Sequence, residues 1–422
     1  MVAKSMFIAN VLMYIWKHEA SEYFDELEKN RNNSIDELYE LCREDIFELN
    51  GGTCLETNLH MLTVFETIGC SHQFNEKTFG GCSFCDWDSN RIRQLARLKS
   101  LSQLDEEKYA KIIHLSFNLA RGKKCNPRLI EQLSVHNIID KKQFPEAAFK
   151  LMFENDFIYS KKPEIGIISA RADYITVDSV IKWKNVFRKS LTIGIGVECG
   201  NEWIRNYWLN KNIINEQIVE SVRIIKENDA KTCANILLGI PGLSENTSLA
   251  IFFDTLEFLL KEKDIDVDYI LISPLINKKK TVGGFLTDSE STISYRLLLS
   301  AICGIQKWFP DYIKRITFSP DNLNKMMELS CGVEREKIKN LFEAVGQFGT
   351  VYTSNKYNFN VIKYKSEVLD VSCVESLLSD LINASEKIID KIGCNRENMK
   401  KQLYEDLLYL NLEALNWERW KY

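Results

Sequence analysis

Residues 62–90 of this chain read LTVFETIGCSHQFNEKTFGGCSFCDWDSN. An apolar, β-branched run from Leu62 to Ile68 precedes a turn at Gly69, and such a run bounded by glycine predicts a buried strand. Three cysteines follow with the spacing C-x11-C-x2-C: Cys70, Cys82 and Cys85. They lie on one loop that leaves the end of a strand, which is where α/β folds place their chemistry. The stretch therefore predicts an α/β fold with a thiol-lined site.

Three thiols on one loop indicate a metal site, because thiolates are soft ligands that select zinc, Cu(I) or iron–sulfur clusters. A closed zinc site needs four ligands, and His72 on the same loop would complete a Cys3His set. His72 follows Cys70 closely, however, whereas zinc ligands usually come in two distant pairs. A cubane iron–sulfur cluster normally has four cysteines, so three would leave one iron open to another ligand. The spacing predicts a metal and leaves both readings open.

The composition is that of an ordinary globular protein. The chain has 422 residues, 45% hydrophobic and 27% charged, which predicts two or three domains. A net charge of −5 and a pI near 5.8 give no overall electrostatic footprint for nucleic acid, although a local basic patch stays possible. No secretory signal pattern is visible, and no apolar run approaches the ~20 residues of a membrane span. We expect a cytoplasmic protein without membrane attachment, whose 12 cysteines are ligands or buried thiols rather than disulfides.

Three regions follow from the pattern along the chain. Residues 1–58 read as a helical segment, in which the stripe of Ser34–Leu49 stops at Asn50-Gly51-Gly52. Residues 59–285 hold the cysteine loop and repeated strand–helix units. Residues 286–422 read as a mainly helical domain that caps the fold, with a short strand pair near 351–364. A long helical stretch after the cysteines carries a basic run, which predicts a solvated face or a cradle for an anionic ligand: Arg91, Arg93, Arg97 and Lys99.

The strand–helix alternation predicts a parallel sheet. With Leu62–Ile68, the apolar runs suggest six strands, the others being Phe149–Phe153, Ile165–Ile168, Leu191–Val197, Thr232–Ile240 and Tyr269–Leu275. Helices between them are predicted at Val177–Arg188, with Thr176 as its N-cap, at Glu216–Asn228 and at Leu249–Lys263. Right-handed crossovers curl such units into a barrel or an open doubly wound sheet.

The cysteine motif resembles that of a known family. Cys82-Ser83-Phe84-Cys85 has the C-x-Φ-C form of radical S-adenosylmethionine (SAM) enzymes. Their commonest spacing is C-x3-C-x2-C, and the longer first gap of this chain resembles the Elongator catalytic subunit and the archaeosine-forming proteins. The string GCSFCDW is similar to that of cobalamin-dependent members. Residues 1–58 are, however, too few for a cobalamin-binding domain, which would take well over ~100 residues.

Three further strings, in the same order as in the family, extend the resemblance over about residues 60–280. IISARADYIT and IGIGVECGNEWIRNYWLNKN resemble the third- and fourth-strand segments of methylthiotransferases and the Elongator subunit, and ILLGIPGLSEN resembles their fifth-strand segment. The likeness implies a partial (βα)6 TIM-like barrel of the radical SAM type with helical N- and C-terminal extensions. It also implies two cofactors, a 4Fe-4S cluster and S-adenosyl-L-methionine.

The resemblance also implies roles for single residues. Cys70, Cys82 and Cys85 would ligate three irons, and the fourth iron would take the amino and carboxylate groups of SAM. Phe84 would lie beside the adenine. Asn155 and Asp156 would bind the SAM amino group, and Glu198 would bind its ribose or methionine part. Arg171 would be the partner of Glu198 or a carboxylate clamp. Gly239 and Gly242 would let the backbone approach the adenine.

The activity implied is reductive cleavage of SAM to a 5′-deoxyadenosyl radical, which abstracts hydrogen from a peptide or natural-product substrate. The electron would come from an external donor, flavodoxin or ferredoxin. Modification of tRNA, or transfer of an aminocarboxypropyl group from SAM, are alternatives on the same cluster. The rival from another class is a non-catalytic binding protein structured by Cys3His zinc.

Overall fold

The computed structural model describes residues 6–74, 79–122, 124, 126–155, 158–345 and 366–421. Its centre is an eight-stranded sheet that curls into an open half-barrel, with the strand order β1-β2-β3-β4-β5-β6-β7-β10. The strands are β1 (Gly52–Glu56), β2 (His60–Phe65), β3 (Ile130–Ser134), β4 (Ile165–Ala170), β5 (Ser190–Glu198), β6 (Lys231–Leu238), β7 (Tyr269–Pro274), β8 (Ile276–Asn277), β9 (Ser291–Thr292) and β10 (Ile316–Phe318). The short β8 and β9 pair separately.

Helices surround this sheet and extend it at both ends. They are α1 (Phe7–Ile15), α2 (Lys17–Asn30), α3 (Ile35–Glu48), α4 (Ile92–Leu104), α5 (Glu106–Arg121), α6 (Glu146–Phe149), α7 (Val177–Lys184), α8 (Asn215–Glu227), α9 (Glu245–Leu260), α10 (Val282–Thr287), α11 (Tyr295–Trp308), α12 (Pro320–Leu329), α13 (Gly332–Val345), α14 (Val374–Ile392) and α15 (Arg396–Leu407). Among the described residues, no helix has the length and apolar character needed to cross a bilayer.

The strand pairing confirms the predicted partial barrel. Strands β2 to β7 are parallel to their neighbours in chain order, β10 adds to β7 in parallel, and β1 pairs antiparallel with β2. The carboxyl ends of the parallel strands therefore meet at one edge, where the cysteine loop leaves β2. The sheet also extends past the expected domain limits, since β1 lies within residues 1–58 and β10 within 286–422.

The second parallel strand of the sheet is not the segment that the sequence predicted. Phe149–Phe153 was predicted as a strand, but it belongs to α6 and to the π-helical turn Lys150–Asn155, where Phe149 and Phe153 pack on Trp183. Short apolar runs fit a buried helix as well as a strand. The second parallel strand is β3, whose polar sequence IEQLS hid it.

Several local predictions are confirmed. Ser34 caps α3 through a capping box with Glu37, and Thr176 caps α7. Asn50, Gly51 and Gly52 end α3 with positive φ angles. The predicted strand pair near 351–364 lies outside the described residues.

The basic run after the cysteines pairs with carboxylates of neighbouring helices rather than forming an anion cradle, and of its members Arg93 is solvated as predicted, with 65% of its side chain exposed. Arg97 binds Glu26 and Asp45, at 2.7 and 2.9 Å, and so connects α4 to the N-terminal helices α2 and α3. Arg93 likewise binds Glu22 of α2 at 2.6 Å. These pairs hold residues 1–58 against the barrel.

Candidate functional site

The cysteine loop forms two turns that are bonded to each other. In the first, the backbone N–H groups of Gln73 and Phe74 donate to the Cys70 carbonyl oxygen, at 3.0 and 3.1 Å. In the second, the N–H of Cys85 donates to the Cys82 carbonyl oxygen at 3.1 Å. The N–H of Gly80 donates to the Gln73 carbonyl oxygen at 3.0 Å. These bonds bring the distant halves of the C-x11-C-x2-C motif to one place at the carboxyl edge of the sheet.

The three thiols share one half-buried environment. Burial raises the pKa of Cys82 to about 11, and raises the pKa of Cys85 and Cys70 as well. Cys82 and Cys70 each raise the pKa of Cys85 further, which places the three sulfurs within electrostatic reach of one another. Within the described ranges, no three His, Cys, Asp or Glu side chains stand in an arrangement that could hold a metal ion. The loop brings the three thiols into one region, within electrostatic reach of one another but not in a coordination arrangement.

Two buried cations face the thiols. Lys211 and Arg171 both lower the pKa of Cys82, opposing the larger effect of burial, and Arg171 does the same for Cys70. Lys211 also lies 5.8 Å from the centroid of the Phe84 ring. Positive side chains beside soft ligands favour the thiolate form that a metal requires.

Lys211 is positioned by an unusual stretch of backbone. Its neighbours Asn210 and Asn212 both adopt left-handed conformations, at φ 53° and 56°, which asparagine tolerates better than most residues. The turn directs Lys211 to the end of β5, where its Nζ lies 2.7 Å from Oε1 of Glu198. Glu198 itself has φ 63° beside a register shift in the β5–β6 pairing. Strained backbone of this kind concentrates at functional sites.

The predicted ion pair between Arg171 and Glu198 is wrong. Arg171 instead donates to both carboxylate oxygens of Asp173, at 3.1 and 3.3 Å, and to the Lys211 carbonyl oxygen at 3.0 Å. Glu198 takes Lys211 as its partner. Arg171 still lies at the site, because it holds the backbone from which Lys211 extends.

His72 is committed to the protein framework. Its Nε2 lies 2.6 Å from the carbonyl oxygen of Asn210, to which it donates. Asn210 in turn donates from Nδ2 to the Gly81 carbonyl oxygen at 2.7 Å, and the N–H of Ser83 donates to the Leu209 carbonyl oxygen at 3.0 Å. This contact places the ring proton on Nε2, so a Cys3His site would have to take His72 through Nδ1, the usual arrangement when the other nitrogen donates to a carbonyl.

Asn155 and Asp156 do not follow the second parallel strand as expected. Asn155 ends the π-helical turn after α6, and Asp156 lies outside the described residues. The loop after β3 brings Asn137 to the carboxyl edge instead, fully buried. Both polar atoms of its side-chain amide lack a hydrogen-bond partner in the described structure. A buried amide left unpaired costs about 1–3 kcal/mol, which a polar ligand would recover.

Gly239 and Gly242 form the predicted sharp exit from β6, with φ angles of +105° and +76°. A Cβ on Gly239 would lie 2.7 Å from the Cγ2 atom of Ile293, and one on Gly242 would lie 2.7 Å from the Cδ1 atom of Leu286. The positive φ angles and these contacts explain the two glycines through the turn and its packing, without a ligand.

Sequence reasoning missed Lys211, Asn210 and Asn137. The first two lie within the string WLNKN, where a lysine between two asparagines signals a left-handed turn that aims a cation. Asn137 carried no signal, because the strand before it was not recognised.

Comparisons with known proteins find only partial likeness. No protein-family model matches this chain. An uncharacterised protein of Methanocaldococcus jannaschii is 28% identical over 149 residues, and the chain spans 40% of its length. The archaeal Elp3 of Methanocaldococcus infernus, solved without its N-terminus, aligns at a TM-score of 0.36 with 11% identity, over 57% of this chain and 59% of that one.

The radical S-adenosylmethionine methyltransferase TsrM of Kitasatospora setae aligns at TM-scores of 0.31 and 0.32 with 12% identity. One of its structures holds tryptophan and a SAM analogue, and the other holds cobalamin and a [4Fe-4S] cluster. These alignments cover 57% and 58% of this chain and 40% of TsrM. The case for function therefore rests on this chain's own residues.

Proposed function

We propose that this protein is a radical SAM enzyme. One observation carries the proposal: the loop that leaves the first parallel strand of a half-barrel gathers Cys70, Cys82 and Cys85 opposite the buried cations Lys211 and Arg171. Three thiols on one loop suit a cluster that keeps one iron open. A closed zinc site would need a further ligand.

The residues present fit both cofactors. The three thiols are the soft donors that an iron–sulfur cluster takes. Several buried polar atoms of this region have no partner among the described residues, as expected beside a bound polar ligand: Oγ1 of Thr67, Nε2 of Gln73, Oγ of Ser83 and both amide atoms of Asn137. Lys211 or Arg171 would pair with the SAM carboxylate, and Glu198 or Asn137 would accept hydrogen bonds from its ammonium or ribose.

Cys70, Cys82 and Cys85 would hold the cluster, which would supply the one-electron chemistry for reductive cleavage of SAM and so for hydrogen abstraction from a substrate. The protein's part is to orient the cofactors and to keep water away from them. The Glu198–Lys211 pair is about nine-tenths buried, so it holds its charges fixed without mobile solvent. The loop itself is held from three sides, since Ser83 bonds Leu209 and Val282, while Lys278 pairs with Asp86 at 3.1 Å.

An external electron donor, flavodoxin or ferredoxin, belongs to this proposal, as does a peptide or natural-product substrate. In the described residues the cations Lys211 and Arg171 are paired with carboxylates of the chain. Neither pairing provides a cation for a phosphate backbone, and the net charge of −5 gives no overall footprint for nucleic acid.

The test is anaerobic reconstitution with iron and sulfide. The protein should turn brown, absorb near ~400 nm and contain about four irons per chain, as cubane clusters do. Serine variants of Cys70, Cys82 and Cys85 should each lose the iron. Cys331→Ser is the matched control, because Cys331 is exposed and lies apart from the loop; it should keep the full iron content.

His72→Ala separates the proposal from its rival. Under the proposal the variant keeps iron and sulfide, and with SAM and dithionite it forms 5′-deoxyadenosine. Under the zinc reading it releases one zinc per chain. Wild-type protein that binds zinc alone, or iron-loaded protein that forms no 5′-deoxyadenosine, contradicts the proposal.

A further inference from the structure

The concave face of the half-barrel carries small polar side chains towards the carboxyl ends of its strands, beside apolar ones such as Ile167 and Leu271. Along β4 and β7 every second residue is half-exposed, and these residues face the inside of the barrel because helices cover the other side. Ser134, Ser169, Asn235 and Ser273 are four such positions, on β3, β4, β6 and β7. None of their side chains makes a hydrogen bond to another described residue. Small barrels normally fill this space with branched apolar side chains.

Gly194 keeps the middle of this face open. It lies in β5, where its register partners are Ser169 of β4 and Cys233 of β6. A Cβ on Gly194 would meet only ordinary contacts, the nearest being 3.5 Å to the Ile168 carbonyl oxygen, 3.6 Å to Nδ2 of Asn235 and 4.0 Å to Oγ of Ser169. Neither its backbone nor its packing requires glycine. A strand glycine without such a need often marks the close approach of a ligand.

The charges beside this face are already neutralised. Gly196, two residues further along β5, pairs in register with Asn235 and lies directly under the Glu198–Lys211 ion pair, since its Cβ would touch both charged ends. Arg171, a second cation at this edge, is bound by Asp173. The layer of Ser134, Ser169 and Asn235 therefore offers hydroxyl and amide groups but no free charge.

We infer that the concave face around Gly194 binds an uncharged substrate group that both donates and accepts hydrogen bonds, such as a peptide amide or a sugar hydroxyl. Serine hydroxyls and the asparagine amide carry both functions. An anionic group would lose its hydration on this face without gaining a cation. This inference rests on the proposed function, because it places the substrate directly below the ion pair expected to bind SAM.

The test is saturation-transfer NMR with two matched pairs of probes at millimolar concentration. N-acetylalanine methylamide is compared with N-acetylalanine, and methyl riboside with ribose 5-phosphate, on protein with and without reconstituted iron. At least one neutral probe should bind, and each neutral probe that binds should bind more tightly than its anionic partner. The amide pair and the sugar pair then identify the source of the group.

Variants connect the probe to the face. Gly194→Leu fills the open space and should abolish the neutral probe's signal, whereas Gly332→Leu, at a position with nothing within 4 Å, should leave it unchanged. Asn235→Ala keeps the packing and should weaken binding about fivefold, the effect of one hydrogen bond.

The inference is overturned if neither neutral probe binds, if the anionic partners bind as well, or if both Gly194→Leu and Asn235→Ala bind like wild type. Iron content and 5′-deoxyadenosine are measured on the same samples. A failure of the cluster is thereby distinguished from a failure of this face, because binding of a neutral probe does not require iron.

Discussion

Lys211 and Glu198 form an ion pair directly over Gly196. The Nζ and Oε1 atoms are 2.7 Å apart, and a Cβ on Gly196 would lie 2.5 Å from that Nζ and 2.6 Å from that Oε1. Burial lowers the pKa of Lys211, but the carboxylate of Glu198, and Cys82 once it is ionised, raise that pKa more, so the lysine stays charged. The pair thus holds the positive charge of Lys211 in a fixed position beside Cys82.

Breaking this pair should destabilise the fold. Lys211→Met leaves Glu198 buried without a partner, and we expect the free energy of unfolding to fall by about 3 kcal/mol. Urea denaturation of the metal-free protein under reducing conditions measures it.

The double variant with Glu198→Gln provides the control. Removing both charges should recover much of the loss, because the cost arises from the unpaired carboxylate rather than from the lost attraction. A loss below about 1 kcal/mol for Lys211→Met would mean that solvent screens the pair.

The N-terminal helices should control metal loading through Gly80. The cysteine loop packs its aromatic residues on α1 and α2, with Phe74 stacked on Tyr23 at 5.1 Å and Phe79 at 6.2 Å from Trp16. Gly80 has φ +121°, and a Cβ there would lie 2.9 Å from Cβ of Leu12. We expect Gly80→Ala to displace the loop and to lower the iron retained after reconstitution, measured per chain.

Gly332→Ala is the matched glycine control, since nothing lies within 4 Å of its Cβ position. It should retain the iron content of wild type. Equal iron content in Gly80→Ala and Gly332→Ala would show that iron binding does not depend on the packing of the cysteine loop against α1.

Much of the fold could be predicted because its strands are locally distinctive. The runs that became β2, β4, β5, β6 and β7 are apolar and bounded by turn residues, so sequence pattern alone located them. Strand β3 escaped because Glu131 interrupts it. That carboxylate is fully buried against Arg121 of α5, at 2.6 Å, a long-range contact that no local pattern reveals.

The sequence allowed the thiols of the site to be predicted but not its cations. Cys82 and Cys85 are recognisable by their spacing, whereas Lys211 reaches Glu198 only through a left-handed turn thirteen residues later in the chain. Arg171 was expected to pair with Glu198 because both follow strands at one edge. Arg171 pairs instead with Asp173, which lies two residues away in the chain.

The pH dependence of the metal-free protein should report on the thiols. An ordinary thiol has a pKa of about 8.5, while burial raises the pKa of Cys82 to about 11 and that of Cys85 further. The unfolded chain therefore loses protons at a lower pH than the folded one. Stability should hold below about pH 8.5 and fall as the pH rises towards the folded pKa values.

Alkylation by iodoacetamide provides the direct measurement. The reaction of Cys82, followed by mass spectrometry, should be slow at pH 7 and accelerate towards pH 11, because only the thiolate reacts. Rapid alkylation at pH 7 would show that Lys211 and Arg171 outweigh burial.

We expect Asn137 to lower the stability of the metal-free protein and to contribute to the binding of SAM. Its fully buried amide has no hydrogen-bond partner among the described residues, so Asn137→Leu removes an unsatisfied polar group of similar size. We expect the free energy of unfolding of the metal-free protein to rise by about 1 kcal/mol, and the affinity for SAM, measured by equilibrium dialysis of the reconstituted protein, to fall. Asn206→Leu is the control, because Asn206 is also buried but accepts from the N–H of Ile213 at 2.8 Å; it should destabilise the fold. If Asn137→Leu destabilises the protein equally, the amide has a structural role, and its contribution to SAM binding is contradicted.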